Sequence, residues 1–157
     1  FYVAASNFTS TGSTCNTTCR YLEAAPTSGT IVWTDARYAW SGNTTAPIGA
    51  TARGTAIGKG YANTIAIVGQ SNTPNMAGTI SQAYRGPHGL SDWFLPSKDE
   101  LHQLYLQREF VGGLVANYYW SSSEVDAATA WNQGLHNGGL GNDYKANTKY
   151  VRPVRAF

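Results

Sequence analysis

The chain is expected to fold as one α+β domain, and three features of the sequence lead there. Short segments rich in Tyr, Trp and Val alternate with turns containing Gly, Asn and Ser, a composition of strands and loops rather than of a helical bundle. One segment, starting at Ser97, carries a complete helix-start signal followed by apolar residues at helical spacing. The 157 residues hold no internal repeat and no linker, which is the length of a single domain.

In chain order, residues 1–26 read as strand, polar turn, strand: Phe1 to Ala4, then Arg20 to Ala25, ending at Pro26. Phe1-Tyr2-Val3 reads as a strand already under way, so the start is either a processed end or a cut inside a longer protein. Cys15 and Cys19 flank Asn16-Thr17-Thr18. A disulfide stapling this turn is favoured by the extracellular-type composition, with two free thiols as the alternative. A CxxxC pair alone supplies too few ligands for a metal site. Trp33 to Trp40 is an aromatic stretch of open type, and 41–60 is a Gly/Thr/Ala loop. Tyr61 to Gly69 puts Ala62, Ile65 and Ala66 on one face and reads as a short helix, as does Ala77 to Tyr84.

Ser97 with Glu100 forms a capping box: the hydroxyl takes an orphan backbone N–H and the carboxylate reaches back. Leu101, Leu104 and Tyr105 follow at helical spacing, and Gly112-Gly113 ends the element. From Tyr118 onward the period changes. Tyr118 to Ser123, Ala128 to Gln133 and Lys149 to Phe157 read as strands, with Gly134 to Asn147 as a hairpin carrying an exposed loop. Pro153 inside the last strand calls for an edge position or a bulge.

Several functions are excluded at this level. A net charge of +2 and a pI near 8.6 give no clustered basic face for nucleic acid. No apolar run approaches the ~20 residues that cross a bilayer. Gly54 to Gly60 has the wrong glycine spacing for a phosphate loop and lacks its Ser/Thr. Ser121 to Ser123 sit on a strand without a nucleophile elbow. His88, His102 and His136 lack zinc-site spacing and read as surface residues, while Asp99 and Glu100 serve the helix dipole. No catalytic residue, metal or cofactor is expected.

Binding features are richer. Trp131, Tyr144 and Tyr150 lie among short amides, a mixture of stacking area and adaptable hydrogen bonds that suits a saccharide or a protein epitope. The expected binding surface is residues 125–148, chiefly Asn132, Leu135, His136, Asn137, Asn142, Asp143, Tyr144 and Asn147. Strand alternation underlies this choice: if Trp131 is buried, Asn132 faces solvent, and the loop beyond presents Leu135. Lys145, Lys149, Arg152 and Arg155 outnumber Asp143 locally, an excess that an anionic glycan could use. Trp33 to Trp40 is the next candidate surface.

Four ordered motifs carry a resemblance: Asp92-Trp93-Phe94-Leu95-Pro96-Ser97-Lys98-Asp99-Glu100-Leu101, Tyr118 to Glu124, Ala130-Trp131 and Val151 to Phe157. Together they resemble the bacterial Lcl C-terminal domain family, named for a collagen-like adhesin. The resemblance implies a C-type-lectin-like fold, two main helices packed on short, twisted, mostly antiparallel strands, forming the C-terminal part of a longer protein. It implies a non-enzymatic, extracellular or cell-surface recognition domain. Its partner would be a glycan or protein ligand on a cell or particle surface, with homo-oligomer formation as a further option. Oxidase relatives of the formylglycine-generating type act through a cysteine pair late in the domain, and no cysteine follows Cys19 here. A structural tip or assembly domain that binds a protein subunit is the other alternative. Related domains also serve as variable proteins of diversity-generating retroelements, where mutagenised Asn codons cannot yield Trp, Lys, Gln, Glu or Met. Between 125 and 148 only Trp131, Gln133 and Lys145 are of those types, a share no different from the rest of the chain.

Overall fold

The structure, a computed structural model, describes residues 1–157 apart from the side chain of His88, so the surface position expected for that histidine lies outside the described residues. The fold is α+β, with two sheets and, among the described residues, four α-helices. The first sheet joins β1 (Tyr2–Phe8), β2 (Cys19–Ala24) and β8 (Val154–Ala156) in the order β1-β2-β8, all antiparallel. The second takes β3 (Ala36–Ala39), β4 (Tyr118–Glu124), β5 (Thr129–Gly134), β6 (Leu140–Tyr144) and β7 (Thr148–Val151) in the order β3-β7-β4-β5-β6. Its one parallel contact pairs Tyr119 of β4 with Tyr150 of β7.

The last predicted strand is divided at Pro153, which cannot donate to a ladder. Residues before it run in the second sheet and residues after it in the first. The aromatic stretch at 33–40 contains β3. The hairpin expected at 134–147 is built around β6, the outer strand of its sheet.

The helices are α1 (Gly60–Gln70), α2 (Ala77–Ala83), α3 (Lys98–Leu106) and α4 (Arg108–Val111). The helix expected to run from Ser97 to Gly112-Gly113 is interrupted at Gln107, so α4 is a separate turn. At the start of α3 the capping box forms: Glu100 N donates to Ser97 Oγ at 3.3 Å and Ser97 N to Glu100 Oε2 at 2.7 Å. The other carboxylate oxygen accepts Gly58 N at 2.7 Å, so one side chain anchors both α3 and the approach to α1. Gly58 sits at φ +89°, where a Cβ would lie 2.0 Å from Thr9 O, and a Cβ on Gly60 would lie 2.2 Å from Glu100 Oε2. Both glycines are there for close approach. Burial pushes the Glu100 carboxyl up to about 7, against the pull of these N–H donors.

The family-like motifs build the core. Trp33, Trp40, Trp93 and Trp120 pack with Ile67, Leu95 and Val151 between the large sheet and α1 and α2. Three of the indoles donate to backbone carbonyls: Trp33 to Val151 O at 2.9 Å, Trp40 to Ser121 O at 2.7 Å and Trp120 to Tyr38 O at 3.0 Å. The small sheet covers Leu22, Phe94, Val154 and Ala156. Leu101 and Leu104 of α3 seal Tyr119. Trp33 and Trp40 are therefore buried, while Thr34 and Arg37 between them are exposed.

Cys15 and Cys19 are joined in a disulfide, as expected. The bridge closes only a short loop, so its constraint on the unfolded chain is small. Replacing both cysteines by Ser is expected to cost about 2 kcal/mol or less, read as a modest fall in melting temperature that added reductant reproduces on the parent domain.

Candidate functional site

The registers of the large sheet decide which side chains share a face. Trp120 stands opposite Asn132, which stands opposite Gly141; Ala130 stands opposite Asp143; and Tyr118 stands opposite Gly134. Directly paired residues point the same way, so Tyr118, Trp120, Asn132 and Asp143 lie on one face. Lys149 joins them, because its neighbour Tyr150 pairs with Tyr119 on the other face. Toward β3 this face is filled by the tryptophan core. Toward the turn after β5 it is open, as a concavity of about 340 Å³ lined by Tyr118, Asn132, Gly139, Gly141, Asp143 and Lys149 among others.

Asn132 forms its floor. The residue is only 4% exposed, but its amide atoms are not among the buried polar atoms without a partner. Lys149 Nζ contacts Asp143 Oδ2 at 2.6 Å and lies over the rings of Tyr118 (5.4 Å) and Trp120 (5.2 Å). Asp143 Oδ1 also accepts Tyr144 N and Asn147 Nδ2, each at 2.8 Å. Burial would raise the Asp143 carboxyl, but the Lys149 ammonium and these donors outweigh it and hold it below the usual aspartate value. Tyr118 closes one side, its ring meeting His136 edge-on at 5.2 Å.

The residues expected at the site divide into two groups. Asn132, Asn142 and Asp143 line the concavity, Asn147 bonds to Asp143, and His136 packs on its aromatic rim. Asn137 is exposed and accepts Gly139 N at 2.9 Å, which shapes the turn. Tyr144 is 63% exposed and does not line the concavity, because alternation along β6 sets it on the opposite face from Asp143.

Two expectations are corrected. Leu135 is not in an exposed loop: it is 3% exposed and packs with Leu101, Leu104 and Tyr119. Its N–H donates to Asn117 O at 2.9 Å, which folds the chain inward at that point. Asn132 does not face open solvent opposite a buried Trp131. Trp131 is the half-exposed residue, with the Lys98 ammonium 5.3 Å from its ring, because α3 covers only part of that face.

The local excess of positive charge also dissolves. Lys145 is fully buried against Glu124 at 2.7 Å, Arg152 is buried against Asp35 at 2.6 Å, and Arg155 reaches Asp92 at 3.0 Å. With Lys149 on Asp143, each of the four cations has a carboxylate partner. His102 is half-buried, its Nδ1 2.9 Å from Gln133 Nε2. Among the described residues no three His, Cys, Asp or Glu side chains gather as a metal site.

Sequence reasoning missed Tyr118 as a site residue. The available signal was its parity: in a strand whose Tyr119 is buried under α3, Tyr118 must face the other way. The Lcl C-terminal domain family matches residues 27–155. No curated protein matches the chain.

Proposed function

The chain belongs to the Lcl C-terminal domain family, and from that premise we propose that it is a non-enzymatic recognition domain displayed outside the cell, binding its ligand in the Tyr118–Asn132–Lys149 concavity. One observation carries this reading. The residues of the four motifs are mostly buried in the core or ion-paired, whereas the concavity gathers aromatic, amide and charged side chains (Tyr118, Asn132, Asp143 and Lys149) at the open end of the sheet. The disulfide supports an oxidising compartment, and among the described residues no helix is long and apolar enough to cross a membrane. The fold is read as C-type-lectin-like. Support comes from the two ends of the chain meeting in one small sheet, where Arg20 N and Tyr21 N both donate to Phe157 O. An adhesin-type ligand, glycan or protein, fits this site. Retroelement diversification of 125–148 would act on its rim, and the nucleotide sequence tests that point.

A second reading, an assembly domain that binds a protein subunit, has its own observation. Phe110 is 90% exposed beside an apolar groove of about 540 Å³ lined by Phe1, Val3, Tyr21 and Phe157.

The two are separated by coating beads with the domain and measuring adhesion to cell layers. Tyr118→Ala with His136→Ala is expected to cost about 1 to 3 kcal/mol of binding with the melting temperature little changed, since both side chains are at the surface. Phe110→Ser is expected to leave adhesion intact. The reverse pattern would favour assembly.

A further inference from the structure

We infer that His102, Gln133 and Gly138 form a proton-sensitive latch: protonating His102 on one face of the large sheet releases the turn after β5, which borders the concavity on the other. An effect on ligand binding rests on the recognition reading above; the release of the turn does not.

The latch is a short hydrogen-bonded chain. Gln133 is fully buried on β5, opposite Tyr119 and on the face that α3 covers. Its Nε2 lies 2.9 Å from His102 Nδ1 and 3.2 Å from Gly138 O. A primary amide has two N–H hydrogens, and here each has its own acceptor. His102 Nδ1 accepts in this arrangement, which places the ring proton on Nε2. The remaining amide atom, Gln133 Oε1, is buried without a partner. An unpaired buried acceptor is costly, so the two N–H bonds hold the amide in place against a penalty.

Protonation upsets that balance. With hydrogens on both nitrogens the ring can only donate, and Nδ1–H meets the Gln133 amide donor against donor. Turning the amide over relieves the contact, because Oε1 then accepts from Nδ1–H. A charge-assisted bond replaces a neutral one, which outweighs leaving the amide nitrogen unpaired in place of the oxygen. The same rotation sets Oε1 against Gly138 O, and that carbonyl loses its donor. Gly138 is only half-buried, so its carbonyl can turn to water.

The turn is placed to respond. It is closed by Gly138 N donating to Gly134 O and Gly134 N to Gly139 O, each at 2.8 Å. Leu135 fixes its first leg in the core, whereas residues 136–139 are not buried. Gly138 has φ +76°, and a Cβ there would lie 2.7 Å from Tyr105 Oη, so the tip is seated on α3 by close backbone contact. Gly139 lines the concavity and His136 meets Tyr118 edge-on, so a displaced tip changes the rim.

The ionisable groups around His102 come from three elements and the turn. α3 brings Lys98 and Asp99, 3.4 Å from each other, and Tyr105, stacked on the imidazole at 6.0 Å. Its Glu100, with a carboxyl raised to about 7, is directed to Gly58 N and Ser97 N. α4 brings Arg108, over the Tyr105 ring, and Glu109 beside it. From the sheet, β5 brings none and β4 brings Tyr119, whose hydroxyl donates to Asp35. The turn carries His136.

NMR of the whole chain between pH 8 and pH 5, the interval in which histidines titrate, tests the latch without a ligand. The Gly138 and Gly139 amide shifts are expected to follow the His102 ring, and order parameters over 136–139 to fall from about 0.85 to about 0.6. His102→Asn should leave the turn ordered throughout, with Glu100 and His136 still titrating, and His136→Asn should keep the response. Gln133→Met, which removes the amide at similar volume, should uncouple the turn from a His102 ring that still titrates. Turn shifts that survive in His102→Asn, or that stay flat in the parent while the ring titrates, would overturn the latch. So would a turn already mobile at pH 8. Adhesion that weakens at pH 5 in the parent but not in His102→Asn would carry the latch through to binding. A working latch with adhesion unchanged would stand by itself and count against the concavity as the binding site.

Discussion

Asp35→Ala is expected to destabilise the domain by about 3 to 5 kcal/mol, the cost of leaving a buried charge without its partner. Asp35 and Arg152 are 2% and 1% exposed at their side chains. The guanidinium is held by a fork of two bonds, Nε to Oδ1 at 2.6 Å and Nη2 to Oδ2 at 2.9 Å, and it also donates to Gly113 O at 2.8 Å. The Tyr119 hydroxyl donates to the same carboxylate, and burial, that bond and the Asp35 charge push its ionisation upward. Removing Asp35 therefore strands a guanidinium and a phenol together, at the point where β7, β4 and the 25–35 loop meet. For a domain of this length the loss corresponds to a melting temperature lower by on the order of 10 °C. Denaturant unfolding checks it: the midpoint should fall with little change in slope. Asp35→Ala combined with Arg152→Met should recover much of the loss, because no unpaired charge remains. A double variant no more stable than Asp35→Ala would mean that the pair acts through shape and not charge.

A comparable loss, again about 3 to 5 kcal/mol, is expected for Glu124→Gln. Both charged side chains of the Glu124–Lys145 pair are wholly buried, with Nζ 2.7 Å from Oε1. Glu124 also accepts Ile48 N and Gly49 N at 2.8 Å each, and so pins the loop between β3 and α1 to the sheet. Burial would raise its carboxyl, but the Lys145 bond and the two backbone donors overcome it, and the value lies below the ordinary 4.5. The sign for pH follows. A depressed folded-state value contributes stability that is fully present above about pH 4.5 and lost as pH falls through the lower folded value. The parent should therefore lose stability on acidification below about pH 4.5, and Glu124→Gln should show a shallower loss over the same range. Asp92 adds to the parent's acid sensitivity in the same direction. Burial works against its ionisation, but the Arg155 fork and the Thr14 hydroxyl hold it low. An acid limb of identical steepness in parent and Glu124→Gln would count against this account.

Local structure was legible in the residues. The capping box at Ser97 and Glu100 forms because its partners are three positions apart and need no tertiary help. The strands at 118–124 and 129–134 follow from strand-favouring aromatics, Tyr118-Tyr119-Trp120 and Trp131, and the turn at 112–113 from two glycines at positive φ. The family could be recognised for a related reason: its motifs are the segments that build the core, and core residues are strongly constrained by packing. What alternation could not tell was which face of β5 is covered, since both faces meet neighbours. The tryptophan core lies on one side and α3 on the other, so Asn132 is buried although Trp131 is not.

Charge was the least legible property. Counted along the chain, Lys145, Lys149, Arg152 and Arg155 form a basic stretch. In the fold the partners of Arg152 and Arg155 come from 117 and 63 residues away, and the stretch carries no free cation among the described residues. The sequence alone determined the α+β class, the helix starts and the family. Only the tertiary structure decided that Leu135 is core, that Tyr118 shares a face with Asn132 and Asp143, and that Lys145, Lys149, Arg152 and Arg155 are each paired with a carboxylate. The reason is physical: hydrogen bonds within a turn or helix start depend on neighbours in the chain, whereas burial and ion pairing depend on neighbours in space.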